Sequence, residues 1–216
     1  MSPRRSVVET RQTRAAIITH AVRLAATTGL EGLTIGRLAT EVGLSKSGVL
    51  GHFPTKEALQ LATVEAAAET FWKQVWAAVP AQPGGLRRLR AVYTRWIGLA
   101  EQDGLEAGRL LALAAFDLAE RDGPVREAVL LLNTLFRNEL RMLLYQAVSA
   151  GELPAGTDLD QLVFELNGVM LGLHHGGRLH RDPRAAGRAC RAVGRLLDRP
   201  PVREETETGA GVFPQG

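Results

Sequence analysis

The sequence predicts an all-α fold, and three observations support this prediction. Apolar residues recur at intervals of three and four along most of the 216 residues, as they do on one face of an amphipathic helix. No segment alternates apolar and polar residues between turn signals, as a half-buried strand would. Glycine and proline separate the periodic segments, where they end one helix or open the next. With 45% apolar residues, the chain has enough apolar surface for a sizeable core in one domain or two small ones.

Nine helices are expected, and the first four are bounded by residues suited to helix ends. Gly29 ends the first, and Gly43 ends the second, which begins after Thr34, a good N-cap. Ser45 precedes a very short third helix, and Thr55 caps the long fourth one. The predicted ranges are 11–28, 35–42, the few residues after 45, and 56–79.

Proline and glycine also divide the second part of the chain. The segment 80–85, PAQPGG, is the clearest break there, and Pro124 stands at a helix-start position. A stripe of apolar residues spaced by three or four follows Pro124 and ends before Gly151. The predicted ranges are 86–102, 106–120, 124–150, 158–179 and 183–199. Residues 200–216 are polar, acidic and rich in glycine and proline, so we expect a disordered tail.

The charges are unevenly distributed along the chain. The net charge is only +3, yet residues 1–60 carry eight basic and four acidic groups, so a surplus of +4 lies in that part. This asymmetry favours an anionic partner for the N-terminal part, nucleic acid before a membrane surface. An ordinary solvated surface fits the charges equally well.

Other features of the composition concern compartment and chemistry. The longest stretch without a charged residue, 74–86, is too short for a membrane-spanning helix and contains two prolines. The basic N-terminus is not followed by the apolar segment of a signal peptide, so we expect a cytoplasmic protein with no membrane partner. The single cysteine, Cys190, excludes an internal disulfide framework.

The segment 34–56, TIGRLATEVGLSKSGVLGHFPTK, has the pattern of a helix-turn-helix. This motif needs a small residue in its first helix and a turn glycine that can take a positive φ, which Ala39 and Gly43 supply. It also needs apolar residues that lock the two helices at a steep angle, here Leu38, Val42, Leu44 and Val49. The second helix then presents short polar side chains to base edges, and SKSG is suited to that task.

This segment resembles the DNA-binding domain of the TetR family of transcriptional regulators. The likeness covers about residues 11–60 and is most specific in HFPTKEAL, where an aromatic residue, a turn and a lysine follow the recognition helix. It implies a three-helix DNA-binding domain at 1–54 and a helical ligand-binding and dimerisation domain at 55–199. It further implies DNA contacts by Arg11, Arg14, Thr34, Ser45, Lys46, Ser47, Gly48, Leu50, His52 and Lys56.

Two residues depart from the family pattern. Leu50 stands where family members usually have a tyrosine that contacts a phosphate, and Gly51 follows it. That phosphate contact is therefore expected to be absent, and an apolar contact with a thymine methyl group becomes available instead. Two interpretations stay open: a DNA-binding regulator, or a helical small-molecule-binding or scaffold protein whose DNA-reading helix is degenerate.

The resemblance also implies a dimer interface and a ligand cavity in the later helices. Glycines at 168, 172 and 176 lie one turn apart beside apolar residues, which would let a helix of a second subunit, or of the same subunit, approach closely. The expected interface residues are Leu162, Leu166, Gly168, Val169, Gly172, Leu173, Gly176, Ala189, Val193 and Leu196. The expected cavity residues are Trp72, Trp76, Tyr93, Trp96, Phe116, Phe136, Met142, Tyr145, Met170 and His174, although each type is more often part of an ordinary core.

Catalytic and metal-binding patterns are not evident. His174, His175 and His180 have no carboxylate or cysteine at a ligating interval, so we predict no metal site. No nucleophile with its base, phosphate-binding glycine loop or carboxylate pair marks an active site, so we expect neither an enzyme nor a cofactor. The expected function is that of a homodimeric repressor, released from an inverted-repeat operator in double-stranded DNA by a small hydrophobic effector. An activator, or a regulator without a ligand, stays open on the sequence alone.

Overall fold

The computed structural model describes residues 3–80, 85–102 and 104–198, with side chains from residue 7 onward. Over these residues the protein is all-α, with no strand, which confirms the predicted fold class. The predicted tail, 200–216, lies outside the described residues. The helices are α1 (Pro3–Gly32), α2 (Ile35–Val42), α3 (Lys46–Leu50), α4 (Lys56–Phe71), α5 (Gly85–Glu101), α6 (Glu106–Asp117), α7 (Pro124–Ser149), α8 (Leu159–Arg178) and α9 (Ala185–Leu197).

The helix-turn-helix is formed by α2 and α3, and local hydrogen bonds fix its two ends. The Thr34 hydroxyl accepts the backbone N–H of Arg37 at 3.2 Å, and the Ser45 hydroxyl accepts that of Gly48 at 3.0 Å. Gly43 has φ 67°, the left-handed conformation expected of the turn. The side chains of Leu38, Val49 and Phe53 are buried in the core that α2 and α3 share with the rest of the protomer.

The ends of α1 differ from the prediction. The helix begins at Pro3 rather than Arg11, because no glycine or further proline interrupts the chain before Gly29 and proline is well suited to the first helical turn. Gly29 has φ 71°, so it breaks the helix as predicted, but helical structure resumes as far as Gly32. A side chain at Gly29 would overlap the carboxylate of Asp117, so α6 packs directly against this break.

The fourth helix does not continue as an α-helix to Val79, as the sequence had predicted. It ends at Phe71 and passes into a π-helical turn, Trp72–Trp76, in which the Ala77 N–H donates to the Trp72 carbonyl at 2.9 Å. The rings of Trp72 and Trp76 are stacked there, with centroids 5.2 Å apart and an interplanar angle of 12°. Single π-turns of this kind occur often at functional sites in helices.

The C-terminal helices pack around a common core. α5 contacts α7 and α9, α8 packs on α9, and α6 bridges α1 and α4. A Cβ at Gly85 would overlap the Leu143 carbonyl oxygen, so α5 and α7 are in backbone contact. None of the described helices is both long and apolar enough to cross a membrane.

Candidate nucleic-acid interface and ligand cavity

The N-terminal ends of α2 and α3 bring several of the predicted DNA contacts together. Thr34 is exposed at the start of α2, and Ser45, Lys46 and Ser47 are exposed at the start of α3. The Lys46 side chain lies across Gly36, where a Cβ would be 3.0 Å from the lysine Cε. The Lys46 ammonium group therefore lies at the first turn of α2, next to the cap that Thr34 forms.

The remaining predicted contacts of this domain surround that surface. Leu50 is 42% exposed on α3, while His52 beyond it is half-buried. Arg11 and Arg14 are exposed on α1. The Arg14 guanidinium lies over the ring of Phe53, 4.8 Å from its centroid, so this arginine covers the domain core and also faces solvent.

Lys56 is held by an acidic residue that the sequence did not single out. Its Nζ lies 3.3 Å from Glu31 Oε2 and also donates to the Glu31 carbonyl at 3.1 Å. Arg121, beyond the end of α6, lies with Nη1 2.8 Å from Glu31 Oε1. Burial raises the pKa of Glu31, but Lys56 and Arg121 together hold that pKa below its ordinary value. This Glu31 cluster, Glu31 with Lys56 and Arg121, links the two domains.

A cavity of about 890 Å³, here called the apolar cavity, lies between α4, α6, α7 and α8. Its walls are mainly aromatic, aliphatic and sulfur-bearing side chains. Six predicted cavity residues line it, namely Trp72, Trp96, Phe116, Phe136, Met170 and His174. Phe71, Leu111 and Leu132 also line it, and the sequence analysis had not selected them.

Edge-to-face aromatic contacts build the inner wall of the apolar cavity. The Trp96 centroid lies 5.0 Å from that of Phe71 and 5.3 Å from that of Phe136. Two polar atoms in this wall, Trp96 Nε1 and His174 Nε2, are buried and have no hydrogen-bond partner in the described part of the chain. Burial lowers the pKa of His174, so its imidazole is neutral at pH 7.

Four of the predicted cavity residues lie elsewhere. Trp76 and Tyr93 are fully buried in the core, where burial raises the pKa of the Tyr93 phenol. Met142 and Tyr145 are exposed on α7 and line neither cavity described here. Tyr145 follows Phe136 by nine residues, which places it on the opposite side of α7.

A second cavity of about 690 Å³, here called the basic cavity, lies between α1, α6 and the C-terminal part of α8. Arg109 and Arg178 line it, and the buried Nε of Arg109 meets no hydrogen-bond partner within residues 3–80, 85–102 and 104–198. The two cavities share four lining residues, Ala112, Phe116, Leu171 and His174. Arg109 was missed, although it is the single basic residue in the otherwise largely apolar α6.

The exposed face of α8 differs from the predicted interface. Phe164 is 70% exposed, and a Cβ at Gly168 or Gly172 would meet nothing within 4 Å. The predicted interface residues Leu162, Leu166, Leu173, Ala189 and Val193 are instead buried within the protomer. Val169 and Leu196 pack partly buried against the same core, and Gly176 faces Ala185 of α9. The apolar periodicity of α8 therefore identified the face that packs within the protomer, whereas Gly168 lies on the exposed face and Gly172 lines the basic cavity.

Two family models match the chain, one for each domain. Residues 17–63 match the model for bacterial regulatory proteins of the tetR family, and residues 85–193 match the tetracyclin repressor-like C-terminal domain. The chain belongs to the TetR family. TetR regulators combine a DNA-binding helix-turn-helix with a ligand-binding C-terminal domain, and in general they are not enzymes.

Solved structures of TetR regulators have the same fold as this chain. A TetR regulator from Chloroflexus aurantiacus superposes with a TM-score of 0.80, at 22% identity over 88% of this chain and 97% of that chain. AibR, solved with isovaleryl coenzyme A and operator DNA, gives 0.67 at 23% identity over 82% and 96%. FadR from Bacillus subtilis, solved with stearoyl-CoA, gives 0.69 at 15% identity over 84% and 96%. No curated protein matches the chain.

Proposed function

We propose that this TetR regulator is a cytoplasmic, homodimeric repressor that a small hydrophobic ligand releases from a palindromic operator. The observation that carries the proposal is the position of Lys46 over the first turn of α2. An ammonium group beside a helix N-terminus is electrostatically unfavourable on its own, because the helix dipole is positive there. A DNA phosphate between the two would be attracted by both, so this arrangement fits a backbone contact.

The exposed part of α3 is suited to the major groove. The Ser45 and Ser47 hydroxyl oxygens lie 3.0 Å apart at its N-terminal end, and Ser45 is already engaged as the helix cap. Ser47 is therefore the freer hydroxyl for a base edge, and the exposed Leu50 is able to contact a thymine methyl group. Base contacts by Ser47 and Leu50 would then compensate for the phosphate contact that the family tyrosine usually makes.

The outward face of α8 supports the dimer. Phe164 is an exposed apolar side chain one turn before Gly168, and Gly168 leaves room for a second helix. A two-fold axis across this face would use the same residues from both protomers, as an isologous interface requires. Two helix-turn-helix motifs related by that axis would read an inverted repeat.

The apolar cavity is the proposed ligand site, and α4 connects it with the DNA-binding domain. Trp72, just beyond the end of α4, lines the cavity, while Lys56 at its start belongs to the Glu31 cluster. AibR and FadR were solved with acyl-CoA molecules, which supports an apolar ligand for a fold of this kind. The ligand releases the protein from DNA by binding more tightly to a conformer in which the spacing of the two recognition helices does not match the operator. The size of this effect is limited by the difference between the ligand's affinities for the two conformers.

Selection of bound duplexes from a random DNA pool tests the proposal, followed by affinity measurements on the selected duplex over a salt series. We expect an inverted repeat whose affinity falls steeply with salt. Candidate ligands are then screened for release of the protein from that duplex. If a folded, dimeric protein enriches no sequence, the protein is not a DNA-binding repressor, and its function lies with the cavity.

A further inference from the structure

The two adjoining cavities differ in charge, and this difference indicates the class of ligand. We propose that the effector is an amphiphilic anion, with its apolar chain in the apolar cavity and its carboxylate or phosphate group in the basic cavity beside Arg109. The inference rests on the proposed ligand response and specifies the chemistry of the molecule that produces it. The apolar cavity alone would indicate only an apolar ligand, and the basic cavity alone would indicate only an anion.

The chain of the ligand fits the apolar cavity by volume and by lining. About 890 Å³ is within the range of typical small-molecule sites. Phe71, Trp96 and Phe136 form its inner wall through edge-to-face contacts, and Met170 is buried beside them. A polarisable wall of this kind accommodates a flexible aliphatic chain without requiring a particular shape.

The anionic group fits the basic cavity because Arg109 presents a buried guanidinium donor to it. Arg109 and Arg178 line it, and none of its described lining residues is acidic. The buried Arg109 Nε has no hydrogen-bond partner among the described residues, and a buried donor without a partner is costly. The planar guanidinium group matches a carboxylate or phosphate in geometry as well as in charge.

The charges on the walls of the apolar cavity that do not border the basic cavity, formed by α4, the π-helical turn and α7, set the orientation of the ligand. Glu65, Glu69 and Glu139 lie on these walls, with two basic residues, Lys73 and Arg137. Lys73 is already paired with Glu69 at 2.6 Å, so these walls are acidic overall. An anionic group is therefore repelled there and attracted to the basic cavity.

The junction between the cavities contains a polar group suited to a linker. His174 lines both cavities, and none of the described residues forms a hydrogen bond with its buried Nε2. The neutral ring offers a hydrogen bond to an ester, amide or thioester next to the chain without competing for the charged group. Beyond the junction, Ala26 and Thr27 of α1 line the basic cavity, so the head of the ligand contacts the DNA-binding domain itself.

Tryptophan fluorescence tests the proposal without DNA, because Trp72 and Trp96 line the apolar cavity. The protein is titrated, below the micellar range, with dodecanoate, dodecyl phosphate and dodecan-1-ol. We expect both anions to bind at least about tenfold more tightly than the alcohol, as a charge-assisted hydrogen bond implies. The tighter of the two anions then distinguishes a carboxylate from a phosphate ligand.

Substitution of Arg109 locates the anion. In Arg109→Gln the advantage of the anions over the alcohol is expected to disappear, while binding of the alcohol stays unchanged. Arg87→Gln is the matched control, since Arg87 is exposed on α5 and lines neither cavity. If circular dichroism shows that Arg109→Gln is unfolded, Arg178→Gln takes its place, with a smaller loss expected.

Several results would overturn the inference. The inference fails if the wild type binds the alcohol and both anions with equal affinity, or if none of the three compounds quenches the tryptophan fluorescence. It also fails if the Arg109→Gln variant keeps the full preference for anions. Release from the selected operator is measured separately with the same compounds. If a neutral ligand releases the protein from the operator, the proposed function stands but the inference fails. Absence of operator binding, with anions still preferred, would contradict the proposed function alone.

Discussion

The salt dependence of DNA binding should distinguish the two lysines of the helix-turn-helix region. Replacing Lys46 with glutamine removes one proposed phosphate contact from each protomer and therefore two from the dimer. Each contact on B-DNA contributes about 0.9 to the slope of log K against log salt, so the slope becomes less negative by about 1.8. When salt is raised from about 50 to about 200 mM, the fold loss of affinity should be roughly twelve times smaller for the variant than for the wild type.

Lys56→Gln should change the slope by less, because Glu31 Oε2 lies 3.3 Å from Lys56 Nζ and already offsets part of its charge. Glu31→Gln removes that carboxylate and should make the slope steeper than in the wild type. These variants form an internal comparison, since each changes a single charge in the helix-turn-helix region of the protomer. The measurement is fluorescence anisotropy of a labelled operator duplex at four salt concentrations, with circular dichroism to verify folding.

Two outcomes would refute the reasoning about the lysines. An unchanged slope in Lys46→Gln would mean that Lys46 does not contact a phosphate, and the position of its side chain over α2 would need another explanation. Equal changes in Lys46→Gln and Lys56→Gln would mean that Glu31 does not mask Lys56. In that case the Glu31 cluster would serve only to join the domains.

Three further predictions concern stability and assembly. Thr34→Ala should lower the free energy of unfolding by about 1 kcal/mol, because the Arg37 N–H loses its acceptor; chemical denaturation measures this, and no loss would contradict it. Gly168→Leu should dissociate the dimer in sedimentation experiments and leave the protomer folded, whereas Gly177→Leu, on the opposite side of α8, should not. Burial lowers the pKa of His174, so the unfolded state binds more protons and stability should fall as pH drops below about 6.5. Denaturation of the His174→Gln variant at several pH values measures this. If the variant retains the whole pH dependence, other groups are responsible for it.

Features set by neighbouring residues could be predicted from the sequence. The caps of α2 and α3 depend on a hydroxyl three residues from the N–H that it accepts, and the turn between them depends on Gly43 alone. The ends of α5, α7 and α8 were therefore predicted to within a residue of their observed positions. The end of α4 was not, because a π-turn leaves the same apolar periodicity almost unchanged.

Features that depend on packing could not be predicted in this way. Glu31 and Arg121 are ninety residues apart, and nothing in the sequence around either indicates that they meet. The periodicity of α8 identified an apolar face containing Leu166 but could not decide whether that face is covered by α9 or by another subunit. The structure decides this question for Leu166, which is buried within the protomer.

The contact at Gly85 has a consequence for how the C-terminal domain is able to move. Since even one methyl group at that position would overlap the backbone of α7, α5 and α7 are unable to slide or rotate past each other without separating. The two helices form a rigid frame, and displacement has to be carried by α6, which borders both cavities and meets α1 at Gly29. A substitution that loosens the frame would let the domain absorb the energy of ligand binding internally. Ligand and DNA would then each still bind, but neither would affect the other.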